Sequence, residues 1–223
     1  MQYEEILRAV DHTCLSPMAT WEDIRRLCDE GVAYHTASVC IPPYFVRAAA
    51  DYLGGRLPVS TVVGFPNGYE TTAAKLAETE DALRAGADEI DTVICGCAVR
   101  MGDAEAILRE LRAQRELCGD RILKVIIETC RLSEDEKIRM CEVVSASGAD
   151  FIKTSTGFGG GGATRADVAL LRAHVAPQVR VKAAGGISTI ADAEDFLALG
   201  AARLGTSRIV ALIRQKEEED ANA

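Results

Sequence analysis

No uninterrupted apolar run in the sequence approaches the ~20 residues that a membrane-spanning helix needs, so no such helix is expected. The opening stretch MQYEEILRAVDHT carries acidic residues and lacks an apolar core, unlike a secretory signal. Positive charge is scarce: 25 Lys and Arg stand against 34 Asp and Glu, a formal net charge of -9. A general nucleic-acid binder needs a basic face to neutralise phosphates, and that class is excluded. The three histidines (His12, His35, His174) are scattered, with no HExxH. No CxxC occurs, and Cys95-Gly96-Cys97 has no second pair at zinc-finger spacing. No metal site is therefore expected. Nor does GxGxxG follow the first strand-like run, as an open doubly wound sheet would more naturally show.

What remains is an ordinary globular composition, 48% apolar and 26% charged, over 223 residues. That length suits one α/β barrel. Eight cysteines at 14, 28, 40, 95, 97, 118, 130 and 141 include several in apolar patterns. They are expected to be small reduced side chains that pack, in a cytoplasmic protein.

Short β-rich runs alternate with helical stretches. The runs are ASVCI (37–41), VSTVVGF (59–65), DEIDTVI (88–94), ILKVIIET (122–129), DFIKTST (150–156), VRVKAAGG (179–186) and ARLGTS (202–207). An eighth strand is expected at 11–15, after a short N-terminal helix. Nearly continuous apolar runs suit strands covered on both faces of a parallel sheet. Ser133-x-x-Glu136 and Thr164-x-x-Asp167 resemble capping boxes. Val168, Leu171 and Val175 form a helical stripe that leaves Arg165 and Arg172 toward water. Helices are expected to end at Gly31, Gly86, Gly148 and Gly200, and glycine suits the left-handed position just past a helix. No linker divides the chain, so residues 1–223 are expected to form a single (β/α)8 TIM barrel domain. The acidic tail from about 215 to 223 is expected to fray.

Lys124, Lys153 and Lys182 lie inside apolar strand patterns, although lysine is among the residues least often buried. A lone strand lysine ordinarily snorkels or pairs with a carboxylate. Two on neighbouring strands at one depth, both facing into a barrel, would approach each other. Like charge and desolvation then lower an amine's pKa, and a neutral amine can form a Schiff base with a carbonyl. Asp91, also in an apolar strand, is the candidate acid/base beside them. Phosphate-binding candidates lie in the loops after the last strands. Gly185-Gly186-Ile187-Ser188 and Gly205-Thr206-Ser207-Arg208 each precede a helix, and Gly157 ends the strand of Lys153. Arg208 offers a fork of donors. The run Gly159–Gly162 is expected to be a flexible rim loop.

The chain resembles the deoxyribose-phosphate aldolase family. The matching stretches are DHTCL (11–15), ASVCIPP (37–43), VVGFPNG (62–68), AGADEIDTVI (85–94), LKVIIET (123–129), GADFIKTSTGF (148–158), VKAAGGI (181–187) and RLGTS (203–207). The resemblance implies a metal-free, cofactor-free class I aldolase. Such enzymes cleave 2-deoxy-D-ribose 5-phosphate reversibly to D-glyceraldehyde 3-phosphate and acetaldehyde. It implies Lys153 as the Schiff-base lysine, Lys182 as its proton-relaying neighbour and Asp91 as proton donor and acceptor. Gly157, Gly185, Gly186, Gly205 and Ser207 fall where the family holds phosphate. Members commonly have Asn at the position of Cys95, Arg at Ser188 and Ser at Arg208; some end in a tyrosine where this chain ends Ala-Asn-Ala. Arg208 is thus a candidate to replace the cation absent at Ser188. The expected partners are a sugar-phosphate substrate and a second copy of the chain, most simply a homodimer. Alternative readings are a Schiff-base barrel aldolase for another phosphorylated sugar, a silent sugar-phosphate binder, and a metal-dependent aldolase.

Overall fold

The computed structural model describes residues 2–221. Eight strands alternate with helices: β1 (Val10–Thr13), β2 (Ser38–Ile41), β3 (Val59–Val63), β4 (Glu89–Val93), β5 (Ile122–Ile126), β6 (Phe151–Lys153), β7 (Arg180–Ala184) and β8 (Ala201–Thr206). The helices are α1 (Tyr3–Leu7), α2 (Trp21–Ala33), α3 (Val46–Leu53), α4 (Thr72–Ala85), α5 (Gly96–Arg100), α6 (Ala104–Cys118), α7 (Glu134–Ser147), α8 (Arg165–His174), α9 (Ile190–Ala198) and α10 (Ile209–Ala221). Every strand pairs in parallel with the next in sequence, and β8 closes on β1 through Val10↔Leu204. The result is the (β/α)8 barrel expected from strand–helix alternation.

The apolar core lies between the strands and the surrounding helices, where Ile24, Leu111, Val144, Leu171 and Ile209 are buried. Outward strand residues such as Ile90, Leu123, Ile152 and Val181 pack into it. This layer carries the hydrophobic stabilisation, at ~25 cal/mol per Å² of apolar surface removed from water. The inside of the barrel can therefore hold charge.

Helix starts follow their signals. Ser133 and Glu136 form a reciprocal box that opens α7. At α8 only half of the box forms: Thr164 accepts from the Asp167 N–H, but the Asp167 carboxylate turns to Lys137 at 2.6 Å. A half-buried ammonium partner outcompetes one exposed backbone donor. Gly86, Gly148 and Gly200 end helices in the left-handed region. Gly31 does not. It lies inside α2, where an added Cβ would sit 2.7 Å from the Leu57 Cδ2, so close packing rather than capping explains it.

The stretch from 215 continues α10 to Ala221, with Gln215 donating to Glu219 and Lys216 paired to Glu219 at 2.7 Å. The last two tail residues lie outside the described residues. Of the cysteines, Cys28, Cys40, Cys118 and Cys141 are buried, Cys14 and Cys95 are half-buried, and Cys97 and Cys130 are exposed. Among the described residues no helix is long and apolar enough to cross a membrane.

Candidate active site

Period-2 alternation sends Asp11, Glu89, Asp91, Lys124, Lys153, Lys182 and Arg203 into the barrel. Parallel register sets their depth: Asp91 stands beside Lys124, and Lys153 beside Lys182. The Asp91 Oδ2 accepts from both the Lys153 and the Lys182 Nζ at 2.7 Å, and its Oδ1 accepts from Lys124 at 2.7 Å. The two neighbouring amines are thus separated by no more than twice that length. Lys182 also donates to Asp11, which Ser38 and Arg203 contact as well. Lys124 pairs with Glu89, and Arg203 reaches Glu89 at 3.2 Å.

Burial opposes ionisation of Asp91, but Lys124, Lys153 and Lys182 together hold its pKa well below the ordinary carboxylate value. Lys182 goes the other way from its neighbour. Burial disfavours its charge, yet Asp11 and Asp91 outweigh burial and raise its pKa. For Lys153 burial wins, aided by Lys182 and against Asp91, and the amine is made less basic. Asp91 is therefore a standing carboxylate, Lys182 a standing ammonium, and Lys153 the base pushed toward neutrality.

Below this layer, Phe151 fills the barrel between the Arg180 guanidinium, 4.0 Å from the ring centroid, and that of Arg203 at 5.5 Å. Above it, a cavity of about 800 Å³ opens at the C-terminal rim with Lys153 on its floor. Gly157, Gly185, Gly186, Gly205, Ser207 and Arg208 all line it, so the expected phosphate residues converge on one chamber with Lys153. Arg208 makes no ion pair with any described residue. Ser188 is occupied elsewhere: its N–H and hydroxyl both face the Asp192 carboxylate that caps α9. Gly205 serves space as much as donors, because a Cβ there would press on Ala184 at 3.0 Å and the Lys182 Cε at 3.2 Å. An apolar annex of about 350 Å³ adjoins the chamber and shares Leu15, Pro17 and Phe158 with it.

The expected flexible loop at Gly159–Gly162 is instead a packed strap. Added Cβ atoms would meet the Glu128 carboxylate at Gly159, the Cys130 Cβ at 2.6 Å at Gly161, and the Gly185 carbonyl oxygen at 2.5 Å at Gly162. Glu128, two residues past β5 with φ +54°, accepts from the N–H and hydroxyl of Thr156 and so fixes the turn that precedes Gly157. Asp11, Glu89, Arg203 and Glu128 were not singled out by sequence pattern. The first three share the signal that revealed the lysines, a charge in a strand two residues from another inward position.

The chain also matches known proteins over most of its length. The family model described as DeoC/LacD family aldolase matches residues 6–204. A deoxyribose-phosphate aldolase of Streptococcus agalactiae serotype Ia is 52% identical over 220 residues, 99% of each chain. That of Clostridioides difficile is 51% identical over 217 residues, 97% of this chain and 99% of its own. The tetrameric deoxyribose phosphate aldolase of Aeropyrum pernix superposes with a TM-score of 0.87 at 30% identity, covering 97% of this chain and 92% of that one. With a family model over most of its length and relatives matched end to end, this chain belongs to the DeoC/LacD family of aldolases.

Proposed function

We propose that this protein cleaves 2-deoxy-D-ribose 5-phosphate reversibly to D-glyceraldehyde 3-phosphate and acetaldehyde through a Schiff base on Lys153. The observation that carries the assignment is an inward lysine of weakened basicity on the floor of a chamber whose rim gathers glycine turns and the Arg208 side chain. The neutral Lys153 amine adds to the C1 aldehyde of the open-chain sugar. Lys182, standing protonated, supplies the proton with which the C1 oxygen departs as water, leaving an iminium. Loss of the proton from the C3 hydroxyl then lets the C2–C3 electrons flow into the iminium. Glyceraldehyde 3-phosphate forms, and a two-carbon enamine remains on Lys153. Asp91, standing ionised, accepts protons that Lys182 later returns to C2. Water hydrolyses the resulting iminium, freeing acetaldehyde and the amine.

The phosphate is held by Gly157, Gly185, Gly186, Gly205 and Ser207, with Arg208 as its cation. Binding energy gained there, remote from the breaking bond, keeps C1 in register with Lys153. The enzyme works in the cytoplasm, where its free thiols stay reduced, and as a homo-oligomer, most simply a dimer. Borohydride reduction in the presence of substrate, followed by peptide mass mapping, should place a reduced two-carbon or sugar adduct on the peptide containing Lys153. Adduct on another lysine, or none with turnover intact, would overturn the assignment.

A further inference from the structure

The charged groups inside the barrel close on themselves. Arg203 meets Asp11, Asp11 meets Lys182, Lys182 meets Asp91, Asp91 meets Lys124, Lys124 meets Glu89, and Glu89 returns to Arg203. Three cations alternate with three anions, drawn from β1, β4, β5, β7 and β8. A cross-brace joins Lys124 to Asp11 at 3.5 Å. Fully ionised, this ring is neutral. Lys153 is not a member: it touches the ring only at the Asp91 Oδ2 and faces the chamber. A proton on Lys153 therefore gives the barrel interior a net positive charge with no carboxylate left to balance it.

Given Lys153 as the imine-forming amine proposed above, we infer that Arg203 and Glu89 are positioning residues that set its basicity through the net charge of this ring. Neither lines the chamber, and each acts on Lys153 at a distance, through Asp11, Lys182, Lys124 and Asp91. Other groups facing Lys153 do not supply the balance. The Cys40 thiol on β2 is kept neutral by burial and the nearby Asp91, and β3 presents Ser60. Glu128, just past β5, is engaged by Thr156, and Arg208 lines the chamber in the loop after β8. At an effective dielectric of ~20 and a separation on the order of 10 Å, one unit charge moves an amine by about one pH unit.

The test is the acidic limb of kcat/KM against pH for acetaldehyde release, which reports the base required in the free enzyme. Arg203→Gln leaves the ring negative, favours protonated Lys153 and should move the limb up by about one pH unit. Glu89→Gln leaves it positive and should move the limb down by a similar amount. Arg203→Lys keeps the charge and should leave the limb in place, and the Glu89→Gln/Arg203→Gln pair should return it near its original position. One substrate serves throughout, so titration of its phosphate is common to every profile. Single variants that both leave the limb unmoved, or move it in the same direction, overturn the inference. If Arg203→Gln does not fold, Glu89→Gln and Arg203→Lys decide: a limb that stays or rises in Glu89→Gln overturns it. Borohydride trapping on the unsubstituted enzyme separates the two levels. Lys153 labelled with immobile limbs sinks only the ring; Lys153 unlabelled sinks the catalytic assignment beneath it.

Discussion

Methionine at position 153 should make the protein more stable while ending turnover, and methionine at 124 should do the reverse to stability. Lys153 is buried, and burial makes its folded amine a weaker base than in the unfolded chain. Every tenfold loss of basicity costs the fold about 1.4 kcal/mol wherever the amine is protonated in both states. Because the folded pKa is the lower one, the unfolded chain binds more protons between the two values. Stability therefore rises with pH across that window: the full cost stands below the folded pKa and has gone above the ordinary lysine value near ~10.4. Lys153→Met removes the cost and leaves Asp91 its pairs with Lys124 and Lys182 at 2.7 Å. For a domain of this size 1 kcal/mol is roughly 2–4 °C in Tm. The variant should melt about 3–5 °C higher for each tenfold by which the amine is weakened, with the gain greatest below the folded pKa of Lys153 and absent near pH ~10.4. Lys124→Met instead takes a cation from Asp91 and Glu89, leaves buried carboxylates short of a partner and should cost about 3–5 kcal/mol. Thermal unfolding by circular dichroism across pH, with acetaldehyde release measured in parallel, checks both. A lower Tm for Lys153→Met at neutral pH, shifts of the same sign for the two variants, or residual turnover at full rate would refute the reasoning.

Other expectations concern the rim. Arg208→Ala should raise KM for the phosphorylated substrate about tenfold, the low end for a lost charged hydrogen bond at an exposed site, with cleavage of unphosphorylated 2-deoxyribose unaffected. An unchanged KM removes Arg208 from the phosphate site. Gly162→Ala drives a Cβ to 2.5 Å from the Gly185 carbonyl oxygen and should displace that turn. The cost should be about 1–3 kcal/mol of stability, with a raised KM for the phosphorylated substrate. Unaltered Tm and KM would mean that the strap yields freely.

The strands and the lysines were legible because each leaves a one-dimensional trace. A lysine in a run such as FIK or VRVKAA breaks an apolar pattern whatever its neighbours are. The partners were harder to find because they depend on register. Nothing local to Val10–Thr13 says that Asp11 stands across from Lys182, and nothing in Ala201–Thr206 says that Arg203 reaches both Asp11 and Glu89. Closure of β8 on β1 makes those contacts, and closure is a property of all eight strands. Glycine was misread for a related reason. At Gly86 and Gly148 it marks backbone conformation, which is local. At Gly31 and Gly161 it marks the approach of Leu57 and Cys130, residues 26 and 31 positions away in sequence, which is not. Asp167 has the spacing of a capping box, but Lys137, on the preceding helix, takes its carboxylate.

Phe151, clasped by two guanidiniums, turns the barrel into a blind alley. The chamber that holds Lys153 opens at the opposite end, on the C-terminal rim. The sugar enters and both fragments depart through one doorway. In the proposed mechanism the two-carbon piece stays bonded to Lys153 at the bottom until the phosphorylated piece has left. That bond at the closed end imposes an order: the larger aldehyde goes out first, and when the reaction runs toward synthesis the smaller one has to be loaded before it.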